Sequence, residues 1–134
     1  MRLPDWRARL TAYLAEWAGR DFAYGSADCW LFAMGAAEAV TGVDYTAGVR
    51  GYDSRESGLA MGREKTGCAS HLVYVSRRFR KQPSVLFAQP GDLAAVDTSD
   101  GVGLGVVQGE MIYVLTPEGW GLIPLTEARG IYRV

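Results

Sequence analysis

A tight turn that leads into an apolar helix is the feature of this sequence that most restricts its fold. The turn carries Gly25 and Asp28, and the residues that follow are rich in alanine and glycine. Asp28 can serve as an N-cap, and Gly42 is the residue type preferred just after a helix, so a helix is predicted over residues 28–41. Because most of its side chains are small, this helix can pack closely against a β-sheet.

The predicted helix has Cys29 in its first turn. A helix N-terminus carries a partial positive charge, which favours a thiolate and lowers the pKa of a cysteine placed there. Cys29 is therefore a candidate nucleophile. A free cysteine also packs well as a small buried hydrophobic residue, so the structural alternative stays open.

The apolar pattern changes from helical to strand-like along the chain. Helices are predicted over about 5–18 and, after a polar loop at 43–54, in two short segments before residue 80. Short apolar runs separated by turn residues then occupy positions 85–87, 92–97, 102–107, 110–115, 120–124 and 130–134. This order predicts one α+β domain over residues 1–134, with a helical part at about 1–82 and an antiparallel β-meander at about 83–134.

Composition excludes several classes of protein. With 14 basic and 15 acidic residues, the net charge of -1 gives no general attraction to nucleic acid or to an anionic membrane. No stretch approaches the roughly 20 apolar residues of a membrane span, and the first residues lack the apolar core of a signal peptide. Two cysteines, Cys29 and Cys68, are too few for a disulfide framework. The basic run at 77–81 is interpreted as a solvated helix end.

Three short motifs follow one another in a recognisable order. An aromatic-glycine turn precedes Asp28-Cys29, a Gln-Pro-Gly-Asp-Leu segment lies at 89–93, and a glycine-rich hairpin lies at 101–112. Together they resemble the NlpC-type papain-like cell-wall endopeptidases, and among them a small branch encoded in tail gene clusters of bacteriophages and prophages. The resemblance covers about residues 20–115. It implies a papain-like fold in which a cysteine at a helix start faces a histidine on the adjacent sheet.

The resemblance matches the expected catalytic positions only in part. Cys29 falls on the nucleophile, with Trp30 in place of the small residue that usually follows it. The general base falls on Gly103, which cannot accept a proton. The orienting polar residue is expected near 113–116, where no histidine, asparagine or glutamine occurs. General-base catalysis contributes about 10²- to 10⁴-fold to a rate, so the pattern implies a catalytically degenerate domain.

The sole histidine of the sequence, His71, lies in the helical segment three residues after Cys68. To act as a rescue base for Cys29, it would have to reach across from an element that the resemblance places away from the nucleophile. The alternative is a surface or capping histidine. Cys68 and His71 could form half of a metal site, but no second pair of ligands is evident, so no metal or cofactor is predicted.

The resemblance implies a phage context. It indicates a structural or assembly component of a bacteriophage tail, at the tail tip, made in the host cytoplasm and located in the virion. The expected partners are other phage tail proteins, with peptidoglycan as a second candidate and no specific nucleic acid contact. The first alternative is an active cysteine peptidase or amidase that cleaves peptidoglycan when phage DNA enters the cell. The second is a chaperone-like assembly factor absent from the mature particle.

Tryptophans offer candidate contacts for such partners. The four tryptophans are many for a small core, and tryptophan is enriched at interface hot spots, so some of them could contact partners, with Trp6, Trp17 and Trp30 as the candidates beside Trp120. Trp6 and Trp17 lie on one face of the first predicted helix. The alternative is that this face simply covers the main core.

Overall fold

Helices fill the first part of the chain and a sheet fills the second. The computed structural model describes residues 1–46 and 48–134. Within these residues the helices are α1 (Trp6–Trp17), α2 (Cys29–Thr41), α3 (Arg55–Thr66) and α4 (His71–Arg78). The predicted loop at 43–54 contains no helix or strand in its described residues, and Ala47 lies outside them. The predicted α+β class is therefore confirmed, and α1 and α2 begin and end within one residue of the prediction.

Capping residues explain where α2 begins and ends and where α3 begins. Asp28 accepts a hydrogen bond from the Leu31 backbone N–H at 2.9 Å, and α2 ends at Gly42 with φ of 79°. Ser54 and Ser57 form a capping box at the start of α3. The capping residues visible in the sequence thus fix both ends of the helix that carries Cys29.

In the described part of the chain, six strands form one antiparallel sheet. They are β1 (Arg80–Lys81), β2 (Leu93–Thr98), β3 (Gly101–Gln108), β4 (Met111–Thr116), β5 (Gly119–Pro124) and β6 (Gly130–Arg133). Their order in the sheet is β1-β6-β2-β3-β4-β5. Strands β2 to β5 form the predicted meander, whereas β6 returns to pair with β2, with Ala94 opposite Ile131. The last strand therefore lies beside the first strand of the meander and not at its end.

Two local predictions of the β part need correction. Val85–Phe87 forms a short 3₁₀ helix and not a strand, because the Ser84 side chain accepts a hydrogen bond from the Leu86 N–H and closes a turn. Only part of the basic run ends a helix, since Arg80–Lys81 forms β1 inside the predicted helical part. Pairing with β6 holds this short strand in the sheet.

Helix α2 lies between α1 and the sheet and carries much of the core. Its side chains Phe32, Ala33 and Met34 are fully buried. Gly35 leaves room for Tyr13 of α1, whose hydroxyl donates to the Phe32 carbonyl at 2.7 Å; a Cβ on Gly35 would overlap that hydroxyl. Gly35 therefore allows close packing of α2 on α1, and α2 also contacts β3 of the sheet, as predicted.

The tryptophans are mostly core residues. Trp17 and Trp30 are only 8% and 2% exposed, so the prediction that they contact partners is wrong for this folded chain. Trp17 packs against Phe32 with ring centroids 5.6 Å apart, which uses its apolar surface inside the domain. Trp6 is half-buried, and the guanidinium groups of Arg2 and Arg7 lie 4.2 and 4.4 Å from its ring centroid. A partner contact at Trp6 stays a prediction.

Asp92 joins the two ends of the described chain to the sheet. Its fully buried carboxylate accepts hydrogen bonds from Arg2 at 2.9 Å and from Arg133 at 3.0 Å. It also accepts the Gln89 backbone N–H at 2.9 Å, which closes the Pro90-Gly91 turn. Asp92 is therefore a structural carboxylate at this turn.

Candidate functional site

The turn before α2 is locked in place by the loop that precedes α3. Gly25 has φ of 79°, a conformation that glycine adopts without strain, and a Cβ there would overlap the Tyr52 carbonyl oxygen. The Gly51 backbone N–H donates to the Gly25 carbonyl at 3.0 Å. Because the turn cannot shift, Cys29 emerges at a fixed position as the first residue of α2.

Asp28 anchors the same turn with a buried carboxylate. It accepts hydrogen bonds from the backbone N–H groups of Gly25 and Leu31 at 3.0 and 2.9 Å and from the Tyr52 hydroxyl. Burial and the negative charge of Asp28 raise the pKa of Tyr52, so this phenol stays a neutral donor. With three donors on its two oxygens, Asp28 is a structural group and is not free for acid-base work.

Gly103 on β3 lies opposite Cys29. A Cβ built on Gly103 would lie 3.7 Å from the Cys29 Sγ atom, which is ordinary van der Waals contact. The same Cβ would lie 3.0 Å from the Thr98 Cγ2 atom. The structure therefore brings together the two positions that the resemblance pairs, and the wall of the cavity facing the thiol carries no side chain at residue 103.

The Cys29 thiol is not activated by its place at the helix start. Burial raises its pKa from an ordinary 9.0 to about 11, and a hydrogen bond from the Leu104 backbone lowers it by less. The negative charge of Asp28 adds to the rise. The prediction of a lowered pKa is wrong, because loss of hydration and a neighbouring carboxylate outweigh the helix dipole.

His71 lies at the same cavity as Cys29 and Gly103. It is the first residue of α4, and its ring stacks on Trp30, the neighbour of Cys29 in the chain, with centroids 4.6 Å apart. Its Nε2 atom is buried and has no hydrogen-bond partner within the described part of the chain. The prediction of a surface or capping histidine, away from the nucleophile, is therefore corrected: packing of α4 on Trp30 brings it inward.

The electrostatics of His71 keep it neutral. Burial lowers its pKa from 6.5 to about 4. The negative charge of Asp28 opposes this change, and the positive charge of Arg55 adds to it. At neutral pH the cavity thus contains an uncharged imidazole and an uncharged thiol.

The cavity lies between α2, α3, α4 and the sheet and has a volume of about 30 Å³. Aromatic rings of Phe22 and Tyr24 meet edge to face at its wall, with centroids 4.8 Å apart. At the rim, Asp100 accepts a hydrogen bond from the Tyr24 hydroxyl at 2.6 Å and pairs with Arg55 at 3.5 Å. The hydrogen bond to Asp100 raises the pKa of Tyr24 to about 12. The rim charges therefore neutralise each other.

Cys68 lies outside this cavity. It is buried, and its sulfur accepts a hydrogen bond from the Arg77 guanidinium at 3.6 Å. Cys68 and His71 do border a second, smaller cavity under Trp30. Among residues 1–46 and 48–134, no group of three or more histidine, cysteine, aspartate or glutamate side chains could hold a metal ion. Both cysteines are free thiols.

Several residues of the site were not identified from the sequence. Tyr52 and Arg55 come from the loop and the helix after α2, and Asp100 comes from the turn between β2 and β3. Neither periodicity nor a motif marks them as cavity residues, since they meet only through the tertiary fold. Tyr52 holds Asp28 through a hydrogen bond from its hydroxyl.

The architecture and the cavity define a class: an α+β domain in which a cysteine at a helix start faces a six-stranded antiparallel sheet. A family model described as Domain of unknown function (DUF6950) matches residues 1–134, and the chain belongs to this family. No curated protein matches the chain. In the described part of the chain, none of the helices has both the length and the apolar character that crossing a bilayer requires.

Proposed function

We propose that this chain is an NlpC-type papain-like domain that has lost its catalytic base and serves as a structural or assembly component of a bacteriophage tail, at the tail tip. The observation that supports it most is the bare position opposite the thiol, where Gly103 would place a Cβ 3.7 Å from Cys29 Sγ. The phage context rests on the resemblance of the sequence motifs. The loss of catalysis rests on the chemistry of the cavity.

The proton balance of the cavity opposes nucleophilic catalysis. A cysteine hydrolase needs a thiolate and a nearby base that holds the proton. Here the thiol has a pKa of about 11 and the imidazole of His71 a pKa of about 4, so the proton belongs on sulfur. The gap between these pKa values makes transfer of the proton from Cys29 to His71 unfavourable. Residue 103 is a glycine, so no side chain there can act as a base in place of His71.

The polar groups around Cys29 are instead satisfied as structural groups. Asp28 is saturated by three donors, and Asp100 is held by Tyr24 and Arg55. Such a site keeps the shape of its cavity without supplying an acid or a base. A domain of this kind suits a role in assembly, where surfaces and cavities are matched between neighbouring proteins.

Digestion of purified peptidoglycan tests the loss of catalysis. We expect the wild-type protein and the Cys29→Ala variant to release the same background amount of soluble fragments. Release by the wild type that disappears in Cys29→Ala would contradict the proposal and favour the active cysteine peptidase or amidase. The matched variant Cys68→Ala controls for loss of a thiol outside the cavity.

Mass spectrometry of purified phage particles tests the proposed location. We expect peptides of this chain in the tail fraction at a fixed ratio to other tail proteins. If the chain is found in assembling cells but is absent from mature particles, the chaperone-like assembly role takes the place of the structural one.

A further inference from the structure

The two edges of the sheet differ in length and in charge. Among the described residues, β1 forms one edge and β5 the other. Strand β1 has only two residues, Arg80 and Lys81, and both are exposed. Short length and basic charge keep an edge strand from pairing with other chains. Strand β5 has six residues, Gly119–Pro124, and none of them is charged. The β5 edge therefore lacks the protection that β1 has.

Backbone hydrogen bonds between β4 and β5 alternate along the hairpin. Thr116 pairs with Gly119 across a two-residue turn, a geometry in which the two residues exchange both backbone bonds. Just beyond β5, the Leu125 N–H donates to the Glu110 carbonyl at 2.9 Å. Because bonded and non-bonded pairs alternate in an antiparallel ladder, the odd-numbered residues of β5 bond to β4.

The even-numbered residues of β5 consequently point their backbone groups away from β4. Trp120 and Leu122 each present an N–H and a C=O at the edge of the sheet. Pro124 lies at the next such position, but proline has no N–H. Gly121 lies midway between the two complete positions. Backbone groups of this kind allow another strand to be added to a sheet.

The side chains of Trp120 and Leu122 share one face of the sheet, because side chains alternate along a strand. Stacking on Tyr113 and an edge contact with Phe32 hold the Trp120 ring, with centroids 5.3 and 5.1 Å apart. Leu122 is 49% exposed. A strand added at this edge would cover Leu122 and pack on a fixed indole.

We propose that β5 pairs antiparallel with β5 of a second copy of this chain, about a twofold axis at Gly121. In this register, Trp120 of each copy lies opposite Leu122 of the other, and each of these two pairs exchanges both backbone hydrogen bonds. The two glycines at position 121 meet at the axis as a non-bonded pair, where the absence of side chains leaves room. The pairing does not depend on a role in a phage tail.

The symmetry of the edge favours a second copy over a strand of another protein. The two complete positions lie evenly about Gly121, so β5 itself supplies every group that the edge requires. A twofold pair brings a strand against its own residues, so charges of one sign would repel, and β5 has no charge. The joined sheet would end in β1 on both sides, where short basic strands stop further addition.

Sedimentation velocity of the full chain tests the association. A contact of one strand from each copy is small, so we expect a weak dimer whose population rises between about 10 µM and about 1 mM. Hydrogen exchange of the Trp120 and Leu122 amides should slow several-fold over the same range, since these N–H groups gain acceptors. A chain that stays monomeric at about 1 mM overturns the proposal.

Substitutions at residue 122 locate the contact. Leu122→Pro removes an outward N–H without taking a bond from β4, so the fold should tolerate it. It deletes one hydrogen bond per copy, and we expect the dissociation constant to rise about tenfold or more. Leu122→Lys adds a charge of the kind that protects natural edges and should weaken the dimer as much.

Leu86→Lys is the matched control, because Leu86 is also exposed but lies beside β6, where the adjacent Phe87 carbonyl accepts a hydrogen bond from Arg133. It should dimerise like the wild type. A dimer that persists unchanged in both residue-122 variants, or that weakens equally in Leu86→Lys, uses another surface and overturns the proposal.

Cross-linking tests the position of the axis. Gly121→Cys has room for its Cβ, whose nearest neighbour is Val114 Cγ2 at 3.6 Å. Residues opposite each other in a non-bonded antiparallel pair have Cα atoms about 4.5 Å apart, a distance that a disulfide spans. Mild oxidation should therefore link Gly121→Cys into a covalent dimer and leave Leu86→Cys monomeric. Failure of Gly121→Cys to link while it still dimerises would refute the axis at Gly121.

Discussion

Alkylation of Cys29 by iodoacetamide should be slow at neutral pH and should accelerate steeply in alkali. The reacting species is the thiolate, and burial raises the pKa of Cys29 from 9.0 to about 11. At pH 7 this difference reduces the thiolate population about 100-fold. The more basic thiolate is more nucleophilic, which recovers about 6- to 10-fold for a Brønsted coefficient near 0.4–0.5. The net expectation is a rate roughly tenfold below that of an ordinary exposed thiol, before any steric hindrance.

Peptide-resolved mass spectrometry measures this rate for each cysteine separately. The protein is exposed to iodoacetamide between pH 6 and pH 10, and the same chain unfolded in urea supplies the reference rate for the Cys29 peptide. We expect the folded rate to rise about tenfold per pH unit across this range, because each unit multiplies the thiolate population by about ten below the pKa.

A rate that levels off at or below pH 8 would refute the reasoning. It would show a stabilised thiolate, and His71 is the cavity residue that could take the proton. His71→Phe decides between the two accounts. If Cys29 is an unassisted thiol, the pH profile of the variant follows that of the wild type, whereas an assisted thiolate loses its early plateau.

Three stability measurements test other parts of the structure. Asp92→Asn leaves two arginines beside a buried neutral amide. We expect urea unfolding to show a free energy of unfolding lower by about 3 kcal/mol, near the lower end for breaking a buried ion pair. A decrease under about 1 kcal/mol would show that the carboxylate adds little to stability. Gly25→Ala forces a Cβ against the Tyr52 carbonyl, whereas Gly51 has a similar φ of 78° and open space around its Cβ position. We therefore expect Gly25→Ala to lower the free energy of unfolding by at least about 2 kcal/mol and Gly51→Ala by only about 1 kcal/mol. Equal decreases in the two variants would refute the overlap. His71 binds a proton near pH 6.5 when unfolded but near pH 4 when folded. Between these values the unfolded chain holds more protons, so the free energy of unfolding falls as the pH is lowered. From pH 7 to pH 4 we expect the wild type to lose roughly 2–3 kcal/mol more of it than His71→Phe does. Equal decreases in the two proteins would contradict the burial of this ring.

Local signals in the sequence were enough to place the helix that carries Cys29. Asp28 and Gly42 cap it at the predicted residues, and both act through contacts within a few positions of the chain. The facing position of Gly103 was also predictable, because the resemblance of the motifs carries the register of β3 with it. These features depend on short-range geometry or on a known pattern of motifs.

Features that depend on tertiary packing were not predicted. His71 was expected away from Cys29, since nothing in the sequence shows that α4 packs on Trp30. The lowered pKa expected for Cys29 considered only the helix dipole, whereas loss of hydration around the half-buried residue raises the pKa. The pairing of β6 with β2 was not predicted either. It depends on contacts between residues far apart in the chain, such as the salt bridge between Arg133 and Asp92.

The N-cap of α2 explains why the helix start does not by itself make Cys29 reactive. Asp28 already occupies the positive end of the helix, where its carboxylate accepts the Leu31 N–H. A thiolate on the next residue would be a second negative charge at the same place, and Asp28 accordingly raises the pKa of Cys29. A cation opposite the thiol could offset this repulsion, but Gly103 supplies no side chain there. Burial is thus the main cause that keeps Cys29 protonated, and Asp28, the residue that fixes the position of the cysteine, adds to the effect.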